Sequence, residues 1–264
     1  MSPTIPARAY RSLRLRLPQP WSRLLARVAY LPRLARGHAD TRRELVEEAT
    51  IERMMRSGEE LRGVGRGLSE RVVEIPWVLR ALDDGAPGRT LDVGTAFAPI
   101  VYKRLMIRRP GTFEVVDLAP AQLPGVVSHV ADIRELPFAT DEFDLAVCIS
   151  TLEHIGMDNA QYDVASGGEG DVAALRELGR VARRVLVTVP AGADADMGWQ
   201  RQYAPATFRR RVEDAGLTVA RLEVFAHDAS SGWGPADEGS VGGRTYGDGA
   251  VAAAANICAE LRRA

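Results

Sequence analysis

The sequence predicts an α/β protein, a doubly wound and mostly parallel sheet of seven strands, with a helical arm on its N-terminal side. Three observations carry that prediction. From Arg89 onward, short apolar runs alternate with segments of helical periodicity, the pattern of repeated strand–helix units. The run Leu145-Ala146-Val147-Cys148-Ile149 is apolar throughout, as suits a parallel strand covered on both faces. Two further apolar runs end on acids: Thr90-Leu91-Asp92-Val93 leads into the turn at Gly94, and Phe113-Glu114-Val115-Val116-Asp117 follows roughly 20 residues later. Such a pair holds a nucleotide-type ligand at the carboxyl edge of a parallel sheet. The turn lets backbone approach the ligand, and the second acid accepts hydrogen bonds from ribose hydroxyls.

The elements follow in order. Residues 1–40 read as an irregular arm with one short helix near 20–30, interrupted by Pro18, Pro20 and Pro32. Residues 40–58 read as a helix capped by Asp40 or Thr41, with Glu44 three positions after Thr41 and apolar Leu45, Ala49, Ile51 and Met54. Gly63, Gly65 and Gly67 read as a flexible joint. Ser69 caps a helix through Arg80 whose apolar side is Val72, Val73, Ile75 and Trp77, kinked by Pro76. Residues 1–68 are thus an arm, a lid or a dimerisation element, and 69–264 the main domain. Within it, strands are expected at 89–93, 113–117, 126–130, 143–149 and 184–189, with helices at 98–108 and 169–182. A helix at 205–215 starts near Pro205 and ends at Gly216, and a strand at 217–225 follows. The Gly-rich stretch 228–249 reads as a lid or disordered loop, and 256–261 as a last strand. No internal repeat is present.

Length and composition suit one soluble globular domain with additions. No stretch of 18 or more apolar residues predicts a membrane span, and Arg and Pro interrupt any signal-peptide core. Cys148 and Cys258 lie in strand-like runs and read as small core residues, which makes a reducing cytoplasm the expected compartment. One lysine stands against 33 arginines, a bias of GC-rich bacterial genomes. Residues 1–43 carry ten arginines and one acid, a charge of +9, and the remainder carries −10. Such an arm packs on the acidic body of its own or a second protomer, giving a homodimer, or meets an anionic partner. Aromatic residues for base stacking are not interleaved with its arginines, so nucleic acid is not expected.

The turn Gly94-Thr95-Ala96-Phe97-Ala98-Pro99 has one glycine, where a dinucleotide fold needs G-x-G-x-x-G, and Asp92 would repel a pyrophosphate. That disfavours NAD. Downstream stand Ala131-Asp132-Ile133, Leu136-Pro137-Phe138, Asp141-Glu142-Phe143-Asp144 and then Ser150-Thr151-Leu152-Glu153-His154-Ile155-Gly156. Together with the Gly94 turn and Asp117, these segments resemble the class I S-adenosylmethionine (SAM) dependent methyltransferases over residues 88–190, whose sheet is Rossmann-like. The Glu153-His154 strand end, Gly168-Glu169-Gly170-Asp171, Thr188-Val189-Pro190-Ala191-Gly192 and Gly198-Trp199-Gln200-Arg201-Gln202-Tyr203 look like a bacterial subgroup associated with glycan and polysaccharide biosynthesis.

The resemblance implies SAM as cofactor and methylation of a hydroxyl on a sugar, oligosaccharide or polysaccharide precursor. It places Gly94, Thr95 and Ala96 at the methionine end with Asp92 near the ammonium. Asp117 and Leu118 would meet the ribose, Asp132 and Ile133 the adenine, and Ser150 would complete the cofactor wall. Ala96 departs from the family, where a second glycine is common. His154 is the candidate general base, since a neutral imidazole can take the proton that an alcohol must lose. Glu153 would orient it or bind a sugar hydroxyl. The alternative is that His154 only bonds backbone while Glu153 caps a helix. Tyr162, Trp199, Gln200 and Tyr203 would contact the sugar or else close the core edge. Trp233 and Tyr246 are open between the same two roles. His38, His129 and His227 read as structural or surface residues. Mg²⁺ could acidify the hydroxyl, held by carboxylates among Glu153, Asp158, Asp163, Glu169 and Asp171, although a solvated loop explains these equally. Rival expectations are a small-molecule or lipid acceptor, or a SAM-binding module without catalysis.

Overall fold

The computed structural model describes residues 39–83, 88–96, 98–121, 123–158 and 169–264. Two helices come first, α1 (Ala39–Ser57) and α2 (Arg71–Asp83). Then β1 (Arg89–Val93), α3 (Ile100–Met106), β2 (Thr112–Asp117), β3 (Val127–Val130) and β4 (Phe143–Ile149) lead to a 3₁₀ turn at Leu152–His154. After it come α4 (Gly170–Val181), β5 (Ala182–Pro190), a small hairpin of β6 (Ala195–Asp196) and β7 (Arg201–Gln202), and α5 (Pro205–Asp214). The chain continues through β8 (Leu217–Asp228), β9 (Gly232–Ala236), α6 (Glu238–Val241) and β10 (Ala255–Arg263).

The main sheet runs β3-β2-β1-β4-β5-β10-β8-β9. Strands β3 to β5 in that order are parallel, and β10 is antiparallel to both β5 and β8. The order reverses between β1 and β4, so a crevice opens beyond their carboxyl ends, where doubly wound sheets bind ligands. Leu91, Phe143, Leu145 and Leu186 are wholly buried, as the apolar runs require. Each such side chain contributes about 1.5–3 kcal/mol relative to exposure.

The sheet has eight strands rather than seven, and the eighth corrects the reading of 228–249 as a loop. Asp228 Oδ1 accepts the backbone N–H groups of Ser230 and Ser231, both at 2.9 Å, and closes a tight turn. Gly232 then takes φ +87° and lies so close to Val64 that a Cβ would stand 2.5 Å from its carbonyl oxygen. β9 therefore pairs antiparallel with β8, and Val64 and Trp233 exchange two backbone bonds at 3.1 and 2.7 Å. Those bonds also pin the glycines at 63–67, expected to be a flexible joint. Gly65, at φ +62°, has Val72 Cγ2 2.5 Å from where its Cβ would be.

Residues 39–68 share an apolar cluster with the sheet: Ile51, Met54, Val64 and Leu68 pack with Leu145, Leu186, Trp233 and Cys258. α1 already includes Asp40 and Thr41, so neither caps it. α2 runs on through Pro76, and Ser69 Oγ accepts the Arg71 N–H at 3.4 Å while donating to Glu47. The basic stretch 1–38, with its short helix, and His38 lie outside the described residues. Both cysteines are free and buried. No described helix is long and apolar enough to cross a membrane.

Candidate active site

A cavity of about 520 Å³ occupies the crevice at the carboxyl ends of β1, β2, β3 and β4. Asp92, Gly94, Asp117, Leu118, Asp132, Ile133, Ser150, His154 and Trp199, all singled out from sequence, line it. Thr95, Ala96, Glu153, Gln200 and Tyr203 do not.

The turn after β1 is built around Gly94. It takes φ +80°, where a Cβ would stand 2.1 Å from Thr151 Oγ1, and its N–H bonds Val116 O at 3.0 Å. Asp92 is buried beneath the turn. Its Oδ1 accepts the Tyr102 hydroxyl at 2.6 Å, and its Oδ2 accepts the Thr95 hydroxyl. Burial pushes its carboxyl up to about 7 against those bonds and the nearby Lys103. Asp117, at the end of β2, accepts the Ala96 N–H at 2.8 Å, so the two acidic strand ends are tied through the turn. Thr95 and Ala96 thus shape the cavity from behind, one through its hydroxyl and the other through its backbone.

Past β3, Ile133 is a buried wall residue and Leu118 is 40% exposed at the rim. Asp132 is paired with Arg134, whose Nη2 reaches Oδ2 at 2.6 Å and whose backbone N–H reaches Oδ1 at 2.8 Å. Those bonds hold its carboxyl below the usual range. An adenine amine would have to share this carboxylate with Arg134.

His154 ends the 3₁₀ turn that follows β4. Gly170, the first residue of α4, makes room for this turn, since a Cβ there would lie 2.7 Å from Gly156 N. His154 Nδ1 sits 2.9 Å from the Trp199 carbonyl. A carbonyl only accepts, so Nδ1 carries the proton and the neutral ring presents a bare Nε2. Burial and the neighbouring Arg71 lower the His154 pKa against that bond, which favours the neutral ring. The rings of His154 and Trp199 stack at 5.6 Å, and Tyr246 meets Trp199 edge-on at 6.0 Å. Glu153 is buried, with Oε1 3.8 Å from His154 Nε2 and Oε2 without a hydrogen-bond partner among the described residues. Burial holds its carboxyl well above the usual range, which favours the protonated form.

The other expected residues are dispersed. Tyr203 is buried and donates to Asp171 Oδ2 at 3.1 Å. Gln200 is buried as well, and Trp233 donates to Leu68 O from within the core. His227 accepts the Gly67 N–H, and His129 pairs with Glu114. Tyr162 and Asp163 lie outside the described residues. The carboxylates considered for Mg²⁺ diverge: Asp158 is on the cavity wall, Glu169 pairs with Arg211 at 2.6 Å, and Asp171 faces Tyr203. Among the described residues no group of three or more His, Cys, Asp or Glu could hold a metal ion.

Three contributors escaped the sequence reading: Tyr102, which clamps Asp92, and Arg71 and Glu74 on the first turn of α2. Their signal was the presence of a charge pair amid Val72, Val73 and Ile75 on a helix otherwise read as apolar.

A family model described as a methyltransferase domain matches residues 105–185. No curated protein matches the chain. Among solved structures, the [4+2]-cyclase SpnF is similar over 83% of this chain and 95% of its own, at 13% identity and TM-score 0.52. The 1,6-didemethyltoxoflavin-N1-methyltransferase of Burkholderia thailandensis, solved with bound 1,6-didemethyltoxoflavin and S-adenosylhomocysteine, covers 94% of this chain and 90% of its own at 13% identity and TM-score 0.48. A methyltransferase of Clostridium acetobutylicum covers 72% and 90% at 9% identity and TM-score 0.45. At 13% identity the likeness to SpnF speaks to the fold alone. The matched segment runs from the end of α3 through β2, β3, β4 and α4 into the start of β5, so this part of the chain is similar to a methyltransferase domain, and the sheet order described above agrees with that likeness.

Proposed function

We propose that this chain transfers a methyl group from SAM to a hydroxyl of a sugar, oligosaccharide or polysaccharide precursor, with His154 as general base. The observation that carries the reading is His154 on the cavity wall with Nδ1 held by the Trp199 carbonyl, which leaves Nε2 to accept a proton. When bound, SAM supplies an activated methyl on sulfur. The chain's own part is to position the acceptor oxygen, exclude water and take up its proton. Trp199, 48% exposed, offers a ring face to the C–H side of a sugar. Gly94 and Asp117 would hold the methionine and ribose portions, and residues 39–68 would roof the site through α2. A small-molecule acceptor with an apolar face is the second reading, favoured by Ile75, Ile155 and Met157 on the same wall.

Calorimetric titration with S-adenosylhomocysteine tests the cofactor site. Asp117→Ala is expected to weaken binding by about 10- to 100-fold, through loss of hydrogen bonds to a charged acceptor. Unchanged affinity would remove Asp117 from the site, and no binding by the native chain would end the methyl-transfer reading. Isotope-labelled SAM offered with sugars and with aromatic alcohols then distinguishes the two acceptors.

Asp92 adds a pH signature. Its carboxyl, raised to about 7 in the free protein, would ionise beside the cofactor's ammonium. Cofactor binding should therefore release protons below that pH, and affinity should rise by up to about tenfold per pH unit toward 7 and level off above it. Titrations in buffers of differing ionisation enthalpy read the proton count. A count of zero at pH 6 would place the ammonium elsewhere.

A further inference from the structure

We propose that the acceptor carries an oxyanion, a carboxylate or phosphate, that docks on the guanidinium of Arg71. This deepens the methyl-transfer reading and rests on it for the identity of the site.

Arg71 enters the cavity wall from the first turn of α2, opposite the carboxyl ends of the strands. Its position is fixed by Glu74. Arg71 Nη1 donates to Glu74 Oε1 at 2.6 Å, and Glu74 Oε2 accepts from Ser150 Oγ at 2.9 Å, Thr188 Oγ1 at 2.7 Å and Asn256 Nδ2 at 2.8 Å. Glu74 has no exposed side-chain surface, whereas the Arg71 side chain is 27% exposed. Among the described residues, Arg71 Nε and Nη2 make no hydrogen bond. A guanidinium carries donors only, so whatever meets that edge must accept, and a carboxylate or phosphate accepts two parallel bonds in the fork geometry of arginine.

The surrounding charges agree. Arg134, the other permanent cation on the wall, is closed onto Asp132. His154 is neutral. Glu70, Glu153 and Glu47 also stand near Arg71; burial pushes Glu70 up to about 7 and holds Glu153 well above its ordinary range, which lessens the charge of both. Glu74 balances one charge of Arg71 while occupying one of its five N–H groups. The cavity thus has an acceptor-seeking edge beside the candidate base.

The test is calorimetric titration of the protein saturated with S-adenosylhomocysteine, at about pH 6.5, with D-glucuronate, D-glucose 6-phosphate and D-glucose as probes. At least one anion is expected to bind roughly tenfold or more tightly than glucose. Arg71→Gln should reduce that preference to within about twofold, and Arg71→Lys, a point charge without the fork, should keep part of it. Preference for glucuronate assigns a carboxylate, and for glucose 6-phosphate a phosphate. Since Arg71→Gln leaves Glu74 uncompensated, the double variant Arg71→Gln with Glu74→Gln is measured beside it, and thermal melting checks that both fold. Glucose binding as tightly as both anions, no anion binding, or a preference that survives in the folded variants would overturn the proposal. A native chain that binds no S-adenosylhomocysteine would instead end the methyl-transfer reading itself.

Discussion

Replacement of His154 by Ala should lower kcat by about a hundredfold to ten-thousandfold, the range for a positioned general base, and leave affinity for S-adenosylhomocysteine within about twofold. The two readouts separate because the proposed function puts His154 on the acceptor side of the cavity and the turn at Gly94 on the cofactor side. An alcohol must lose its proton as the new bond forms, and the bare Nε2 of a ring held through Nδ1 is placed to receive it. The pH dependence follows from the direction of the shift. Burial lowers the His154 pKa from its ordinary 6.5, so the base form prevails at neutral pH and is lost only as pH falls below that value. The native rate should be level upward from about 6.5 and decline on the acid side, and the variant should lack that limb. His154→Ala turning over normally across pH 6 to 9 would refute the assignment. The Trp199 carbonyl would then be holding the ring for structure alone.

Gly94→Ala should abolish measurable binding of S-adenosylhomocysteine and destabilise the fold by about 2–6 kcal/mol. Two costs combine. At φ +80° an alanine sits in the left-handed region at about 1–3 kcal/mol, and overpacking adds about 1–3 kcal/mol. The overlap cannot be relieved by a rotamer change, because the added methyl would meet Thr151 at its hydroxyl, its methyl and its Cβ, at 2.1, 2.7 and 2.9 Å. Thr151 is itself tethered by its hydroxyl to Ile149 O at 3.0 Å. Either the turn lifts away from β2, breaking the Gly94–Val116 bond, or the end of β4 moves and carries His154 with it. Urea denaturation measures the stability and calorimetry the binding. An alanine variant that binds as tightly as the native chain would show that the turn does not contact the cofactor.

What was legible in the sequence was local. A strand that ends on an acid before a glycine turn states its own geometry within a few residues, which is why Asp92, Gly94, Asp117, Ser150 and His154 come together on one cavity. The eight-stranded order was less legible. Asp228-Ala229-Ser230-Ser231-Gly232 is a turn sequence, yet the glycines that follow it dilute the short strand at Trp233 until composition suggests a loop. Glu74 was invisible for a different reason. Its partners Ser150, Thr188 and Asn256 are 76, 114 and 182 residues away in sequence, and no spacing rule spans such distances. Tyr203 shows the reverse case. An aromatic after β5, on the ligand side of the sheet, was open between contact with substrate and closing the core edge, and the bond of its buried hydroxyl to Asp171 places it in the core.

The placement of β10 sets an order of assembly. It follows every other strand in sequence, yet it lies between β5 and β8 and bonds to both. Until it inserts, β8 and β9 form a two-stranded ribbon with no route into the sheet, a unit too small to be stable by itself. Asn256, near the start of the same strand, also supplies one of the four donors that seat Glu74. A growing chain can therefore build β1 to β5 and the turn at Gly94 well before α2 has its full anchorage. Anchorage of α2, and with it the placement of Arg71, therefore waits on β10, whereas the turn at Gly94 does not.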